Sequence, residues 1–111
     1  MKLGMITNGS VRMQNAKIDE IGVRSFFETI IVSDEIGIKK PDIRIFNMVL
    51  KKLNVNAKNA IYIGDNPFCD IKGASNAGLN TAWMEGFREW DLDGIKPDYK
   101  INHLKELLSI I

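Results

Sequence analysis

A chain of 111 residues, 45% of them hydrophobic and 26% charged, is large enough for one small core and too apolar to be disordered. Fifteen basic and 14 acidic residues give a net charge of +1, and no run of Lys and Arg exceeds two residues. This balance argues against nucleic acid and an anionic membrane as partners. Because there is one cysteine and no apolar run near the ~20 residues of a membrane helix, we expect a cytoplasmic protein without disulfides.

Short apolar runs recur along the chain and are typical of strands. They are continuous rather than alternating, as expected for parallel strands that are covered on both faces. The last of them is the weakest candidate. In chain order, the predicted strands are Leu3–Ile6, Thr29–Val32, Ala60–Ile63, Thr81–Met84 and Tyr99–Ile101.

Helical patterns lie between these runs. The clearest spans Asp42–Leu53, with an apolar face predicted at Ile43, Phe46, Val49, Leu50 and Leu53. A second helix from about Val11 should end at Gly22 and present Ile18 and Ile21 on one face. Two more are expected from about Asp70 to Gly78 and over His103–Ile110, with a loop from Gly86 to Pro97.

Strands that alternate with helices in this rhythm predict an α/β fold, with a mainly parallel sheet flanked by helices. We expect residues 1–111 to form a single domain. Its first strand begins at residue 3 with no preceding element, which suggests that the sheet has a further strand upstream.

In open parallel sheets, ligands bind beyond the carboxyl ends of the strands. Thr7-Asn8-Gly9-Ser10 follows the first strand and leads into a helix. A hydroxyl, an amide and main-chain N–H groups at a helix start could hold phosphate oxygens. The alternative is an ordinary turn in which Ser or Asn caps the helix.

Lys40-Pro41 precedes the longest predicted helix. The lysine could stabilise a phosphoryl group or a carboxylate, and the proline would fix where the helix begins. The alternative is a solvated lysine beside Lys39.

Two carboxylates, Asp65 and Asp70, lie on the glycine-opened turn after the third strand. Carboxylate oxygens suit Mg²⁺, which usually takes one or two protein carboxylates together with water and phosphate. The alternatives are an Asx-turn for Asp65 and a helix N-cap for Asp70.

The order and spacing of the three groups resemble motifs II, III and IV of the haloacid dehalogenase (HAD) superfamily of hydrolases. The matching segments are the strand followed by Thr7-Asn8-Gly9, then residues 37–46, then Gly64-Asp65 with Asp70. The similarity continues through residues 73–83. It implies an incomplete Rossmann-like HAD core and Mg²⁺-dependent hydrolysis of a small phosphate ester through an aspartyl-phosphate.

The resemblance also implies roles for single residues. Thr7, with Asn8 beside it, matches the motif that binds the transferring phosphoryl group. Lys40 matches the lysine that offsets negative charge around the nucleophile. Asp65 matches the carboxylate that holds the cation, and Asp70 the acid that supports the ion or its waters.

The nucleophile of the family, in a strand followed by Asp-x-Asp, has no match in this chain, because Asp91-Leu92-Asp93 lies in a predicted loop. The cap that selects the substrate has no match either. We therefore expect the chain alone to be inactive, and a homodimer or strand exchange to cover the incomplete sheet. The alternative is that the strands at Leu3–Ile6 and Ala60–Ile63 pair directly and close the gap. The alternatives are a non-catalytic module that binds itself or a partner, and a remnant without function.

Outside the motifs, His103 is expected to cap a helix, and Cys69 is expected to have no catalytic role. Trp90 and Arg88 could border the mouth of the site, and the favoured alternative is a place outside it. The aromatic residues expected in the core are Trp83, Phe68, Phe26 and Phe27.

Overall fold

The computed structural model describes residues 1–110, and the chain divides into two compact units. The first unit is Met1–Val55, and the second begins at Asn56. The expectation of a single domain over residues 1–111 stays a prediction, and Ile111 lies outside the described residues. None of the described helices is both long enough and apolar enough to span a membrane.

The first unit contains a parallel pair of strands, β1 (Gly4–Thr7) and β2 (Thr29–Val32), aligned from Gly4 opposite Thr29 to Thr7 opposite Val32. The chain between them forms helix α1 (Val11–Ile21) and a 3-10 turn at Arg24–Phe26. Of β1, only Ile6 is buried, so the expectation of a strand covered on both faces is wrong for β1.

Helix α1 begins where the sequence predicts, because the Ser10 hydroxyl accepts a hydrogen bond from Met13 N–H at 3.2 Å. It ends at Gly22, whose φ of 78° is left-handed. Ile18 is buried and Ile21 is 71% exposed, so the helix face that carries both residues is covered only in part. Ile21 is the last helical residue, and the chain turns away from the helix directly after it.

After β2 comes a single helical turn, α2 (Ser33–Ile36), and then the long helix α3 (Ile43–Leu53), which contacts both strands. Asp42 caps α3 by accepting from Arg44 N–H at 2.9 Å. Ile43 is 43% exposed, which corrects its predicted place on the apolar face. The buried face instead consists of Ile45, Phe46, Val49, Leu50 and Leu53.

In the second unit, β3 (Ile61–Gly64), β4 (Asn80–Met84) and β5 (Tyr99–Ile101) form a parallel sheet in the order β3-β4-β5. The weakest predicted strand is therefore present. Two parallel sheets, with helices between β1 and β2 and between β3 and β4, confirm the α/β class and the Rossmann-like arrangement.

Between β3 and β4, the chain forms a π-helical segment, Pro67–Lys72, followed by helix α4 (Gly73–Asn76). The helix predicted from Asp70 thus begins three residues earlier and is not a continuous α-helix. Asn66 explains the early start, because its side-chain oxygen accepts from Phe68 N–H and Cys69 N–H, both at 3.0 Å. Its carbonyl also accepts from Ile71 N–H at 3.3 Å, a π-helical spacing.

The tail forms a 3-10 helix at Leu104–Ser109 rather than the predicted α-helix. His103 caps it, as expected, because its Nδ1 accepts from Lys105 N–H at 3.1 Å. The predicted loop from Gly86 to Pro97 has no helix or strand.

The aromatic residues divide between core and surface. Trp83 is buried as predicted, whereas Phe26 and Phe68 are 66% and 46% exposed, so their core assignment is wrong. Phe26 lies on the 3-10 turn after α1, and Phe68 lies on the π-helical segment after β3. The Phe68 ring instead has the Lys72 ammonium 5.1 Å from its centre.

Candidate functional site

The turn after β1 is tied to the start of α2. Thr7 is the last residue of β1, and Gly9 follows with a φ of 142°. Gly9 N–H donates to the buried Ser33 hydroxyl at 2.9 Å, and the Gly9 carbonyl accepts from Asp34 N–H at 3.3 Å. Sequence reasoning missed Ser33, although it is a polar residue directly after β2 and so met the criterion used for the other sites.

The Asn8 side chain bridges to the backbone of Lys40. Its Oδ1 accepts from Lys40 N–H at 2.9 Å, and its Nδ2 donates to the Lys40 carbonyl at 3.2 Å. The Asn8 carbonyl accepts from Gln14 Nε2 at 2.7 Å, which ties the turn to α1 as well. Two segments 32 residues apart in sequence are therefore held together by one amide.

Lys40 is half-buried, whereas Lys39 beside it is exposed. The Lys40–Pro41 peptide bond is cis. Because Lys40 is half-buried, the description of a solvated surface lysine fits Lys39 better than Lys40. Asp42 lies two residues after Lys40, and hydrogen bonds from Arg44 lower the pKa of its carboxyl group to about 2.

Asp65 combines a fixed backbone with an accessible carboxylate. Its carbonyl accepts from the Trp83 indole N–H at 2.9 Å, which ties the end of β3 to β4. Its side chain is 42% exposed and lies 3.4 Å, from Oδ2 to Nε, from the Arg88 guanidinium. Arg88 therefore lies beside Asp65, whereas its place at the mouth of a site stays a prediction.

Asp70, in contrast, is 4% exposed. Its Oδ2 accepts from Asn66 N–H at 3.1 Å, and its Oδ1 accepts from the Tyr62 hydroxyl at 3.4 Å. Burial, reinforced by the charge of Asp70, raises the pKa of Tyr62. The alternative role of Asp70 as an N-cap is wrong, because Asn66 caps the segment.

The carboxylate of Asp70 lies against the backbone of Gly64, where an added Cβ would overlap the Asp70 side chain. Because the Asp70 carboxylate lies so close to the backbone of residue 64, only glycine fits at that position. An open depression of about 300 Å³ adjoins the turn and is lined by Ile63, Gly64, Asp65, Met84 and Phe87.

The chemistry of these groups fits a hard divalent cation. Among the described residues, no group of three or more His, Cys, Asp or Glu side chains could hold a metal ion. Mg²⁺ does not need such a cage, because it keeps several waters and uses one or two carboxylates. The accessible carboxylate of Asp65 suits direct binding of the cation. The buried carboxylate of Asp70 suits a supporting role in the turn.

The structure thus joins Asn8 to the backbone of Lys40 in the first unit, and Thr7 precedes Asn8 at the end of β1. In the second unit, it brings Asp65 and Asp70 onto one turn. That Thr7, Lys40 and Asp65 face one pocket stays a prediction.

Comparison with known proteins gives related hydrolases. The family model described as haloacid dehalogenase-like hydrolase matches residues 1–84. The chain is 32% identical over 111 residues to pyrimidine 5'-nucleotidase YjjG of Escherichia coli, covering 99% of this chain and 49% of that protein. It is 39% identical over 111 residues to glyceraldehyde 3-phosphate phosphatase of Pyrococcus furiosus, covering 97% and 46%.

A crystal structure of the HAD-hydrolase YfnB from Bacillus subtilis, bound to magnesium, superposes with a TM-score of 0.92 and 35% identity, covering 99% of this chain and 49% of that chain. The chain spans about half the length of the relatives it matches. The family match covers most of the chain and includes all three motifs, and the fold agrees. The chain belongs to the haloacid dehalogenase-like hydrolase family and corresponds to the C-terminal part of its core.

Proposed function

We propose that this chain is the phosphate- and cation-binding part of a Mg²⁺-dependent phosphatase that hydrolyses small phosphate esters. The observation that carries the proposal is the bridge between Asn8 and the backbone of Lys40. It fixes a lysine beside a turn that offers a hydroxyl and main-chain N–H groups, and such a set suits a phosphoryl group.

Each residue then has a role. Thr7 donates a hydrogen bond to a phosphoryl oxygen, and Asn8 positions Lys40. Lys40 neutralises charge on the phosphate or on an attacking carboxylate. Asp65 binds Mg²⁺, which would supply further charge neutralisation, and Asp70 holds the turn that carries Asp65.

The substrate we propose is a small phosphorylated metabolite. The relatives include a pyrimidine 5'-nucleotidase and a glyceraldehyde 3-phosphate phosphatase, so they favour phosphate monoesters as a class and no single compound. Since an aspartyl nucleophile has no counterpart in these 111 residues, we propose that the chain binds phosphate without turning over esters.

Calorimetric titration with inorganic phosphate tests the binding proposal. We expect phosphate binding that depends on MgCl₂ and is lost in Asp65→Asn. Lys40→Met should weaken it about tenfold or more, because a charge-assisted hydrogen bond is lost, whereas Lys39→Met is the matched control and should change it less than about twofold. Binding that ignores both Mg²⁺ and Lys40 would refute the proposal.

Phosphate release from an aryl phosphate tests the second part. Purified chain should give no Mg²⁺-dependent turnover above the background of Asp65→Asn. Clear turnover that Asp65→Asn abolishes would show that a group within these residues replaces the missing nucleophile.

One observation favours self-association as a second candidate. The first unit has a two-stranded sheet, so the outer edge of each strand lacks a strand partner among the residues described. Exposed strand edges recruit other chains, through a homodimer or strand exchange. Light scattering over a dilution series tests this, and a monomer at every concentration would rule it out.

A further inference from the structure

Arg88 lies beside the carboxylate that the proposed function assigns to the cation. Its Nε is 3.4 Å from Asp65 Oδ2, at the long limit of a hydrogen bond. The two side chains are 52% and 42% exposed. A single long contact between exposed partners is weak, so another ligand of Asp65 can displace it.

Another exposed arginine, Arg24, is held by shorter contacts than Arg88. Arg24 donates through Nε to Asp19 at 2.7 Å, and its NH2 group also donates to Asn15 Oδ1 at 2.7 Å. That arginine is held by two short contacts, whereas Arg88 has one long contact to Asp65.

The loop that carries Arg88 is nevertheless anchored on both sides of this residue. Glu85 N–H donates to the Ile101 carbonyl at 2.8 Å, just before Gly86 turns the chain with a φ of 98°. On the other side, the Trp90 ring packs edge-to-face on Trp83, with 5.1 Å between ring centres. Arg88 therefore lies between two anchored positions, within reach of Asp65.

We infer that Arg88 is a displaceable counter-ion of Asp65, which neutralises the carboxylate before a divalent cation binds and is released when the cation takes its place. The inference rests on the proposed function, because it takes Asp65 as the cation ligand. Two positive groups that contact the same carboxylate repel each other. Cation binding should therefore free the guanidinium of Arg88.

A titration of the whole chain with MgCl₂ at constant ionic strength tests the inference, observed through the Arg88 Nε–H signal in nitrogen–proton NMR spectra. The signal should shift as Mg²⁺ saturates the wild-type chain and should not respond to Mg²⁺ in Asp65→Asn. Arg88→Gln should bind Mg²⁺ roughly two- to fivefold more tightly, the range expected for removal of an exposed ion pair. Arg88→Lys, which keeps the charge, should fall between the two.

Arg24→Gln is the matched control, since it removes the same charge and breaks an exposed pair with Asp19. Its Mg²⁺ affinity should equal that of the wild type. Equal or weaker Mg²⁺ binding by Arg88→Gln would overturn the counter-ion role alone. A wild-type chain that shows no saturable Mg²⁺ binding would overturn both this inference and the cation site of the proposed function.

Discussion

The side-chain amide of Asn8 spans both main-chain groups of Lys40, accepting from its N–H at 2.9 Å and donating to its carbonyl at 3.2 Å. A carboxylate cannot replace it, because Asp lacks the donor, and a shorter side chain cannot reach. The position of Lys40 therefore depends on an amide in a different motif.

Asn8→Ala should lower the free energy of unfolding by about 1–3 kcal/mol, because two partly buried hydrogen bonds are lost. Asn8→Asp should lower it by a similar amount, since the carboxylate faces the Lys40 carbonyl. Urea denaturation measures both. Asn47→Ala, an exposed asparagine on α3, is the control and should change stability by less than about 0.5 kcal/mol.

Substitutions of the two carboxylates in the second unit should affect different properties. Substitution of Asp65 should affect Mg²⁺ binding, and substitution of Asp70 should affect the free energy of unfolding. Asp65→Asn should leave the free energy of unfolding within about 0.5 kcal/mol of wild type and abolish Mg²⁺ binding. Asp70→Ala should cost about 1–3 kcal/mol, because it leaves Asn66 N–H and the Tyr62 hydroxyl without their acceptor. Equal destabilisation by the two variants would contradict the assigned roles.

Tyr62 should make stability fall at alkaline pH. Since burial raises its pKa above 10.0 in the folded state, the folded chain holds its proton when the unfolded chain releases it. Its contribution is therefore complete below about pH 10 and is lost as pH rises beyond that value. The free energy of unfolding should fall more steeply above about pH 10 in wild type than in Tyr62→Phe. Parallel profiles for the two proteins would show that Tyr62 does not titrate differently on folding.

Asp98 should be essential for the edge of the second sheet. Its Oδ2 accepts from the buried Thr81 N–H at 2.8 Å and from the Thr81 hydroxyl at 3.3 Å, while Asp98 N–H donates back to that hydroxyl at 3.1 Å. Asp98→Ala should cost about 1–3 kcal/mol, since it leaves a buried N–H unpaired. Asp91→Ala, in the exposed part of the preceding loop, is the control and should be nearly neutral.

The sequence predicted the strands to within one residue because each strand is a short apolar run between polar turns. It predicted the wrong face for α3 at one position, since Ile43 and Ile45 both fit an apolar pattern and only packing against the strands selects Ile45. The π-helical start at Pro67 could not be predicted from periodicity, because it depends on the capping geometry of Asn66.

In the candidate site, too, the local features could be predicted and those that depend on the folded chain could not. Thr7, Asn8 and Asp65 could be identified because each lies at the end of a predicted strand. That position can be seen in the local sequence. The bridge from Asn8 to Lys40 and the buried environment of Asp70 depend on residues that meet only in the folded chain. Ser33 satisfied the strand-end criterion and was overlooked because its hydroxyl stands in no motif.

A phosphate titration of the chain at saturating MgCl₂, followed through main-chain amide signals, tests the central claim most directly. We expect the amides of Thr7, Asn8 and Gly9 to shift along one saturable binding curve, and to shift less in Lys40→Met. Shifts that do not saturate, or that are unchanged in Lys40→Met, would contradict the claim that Lys40 and the turn after β1 bind phosphate.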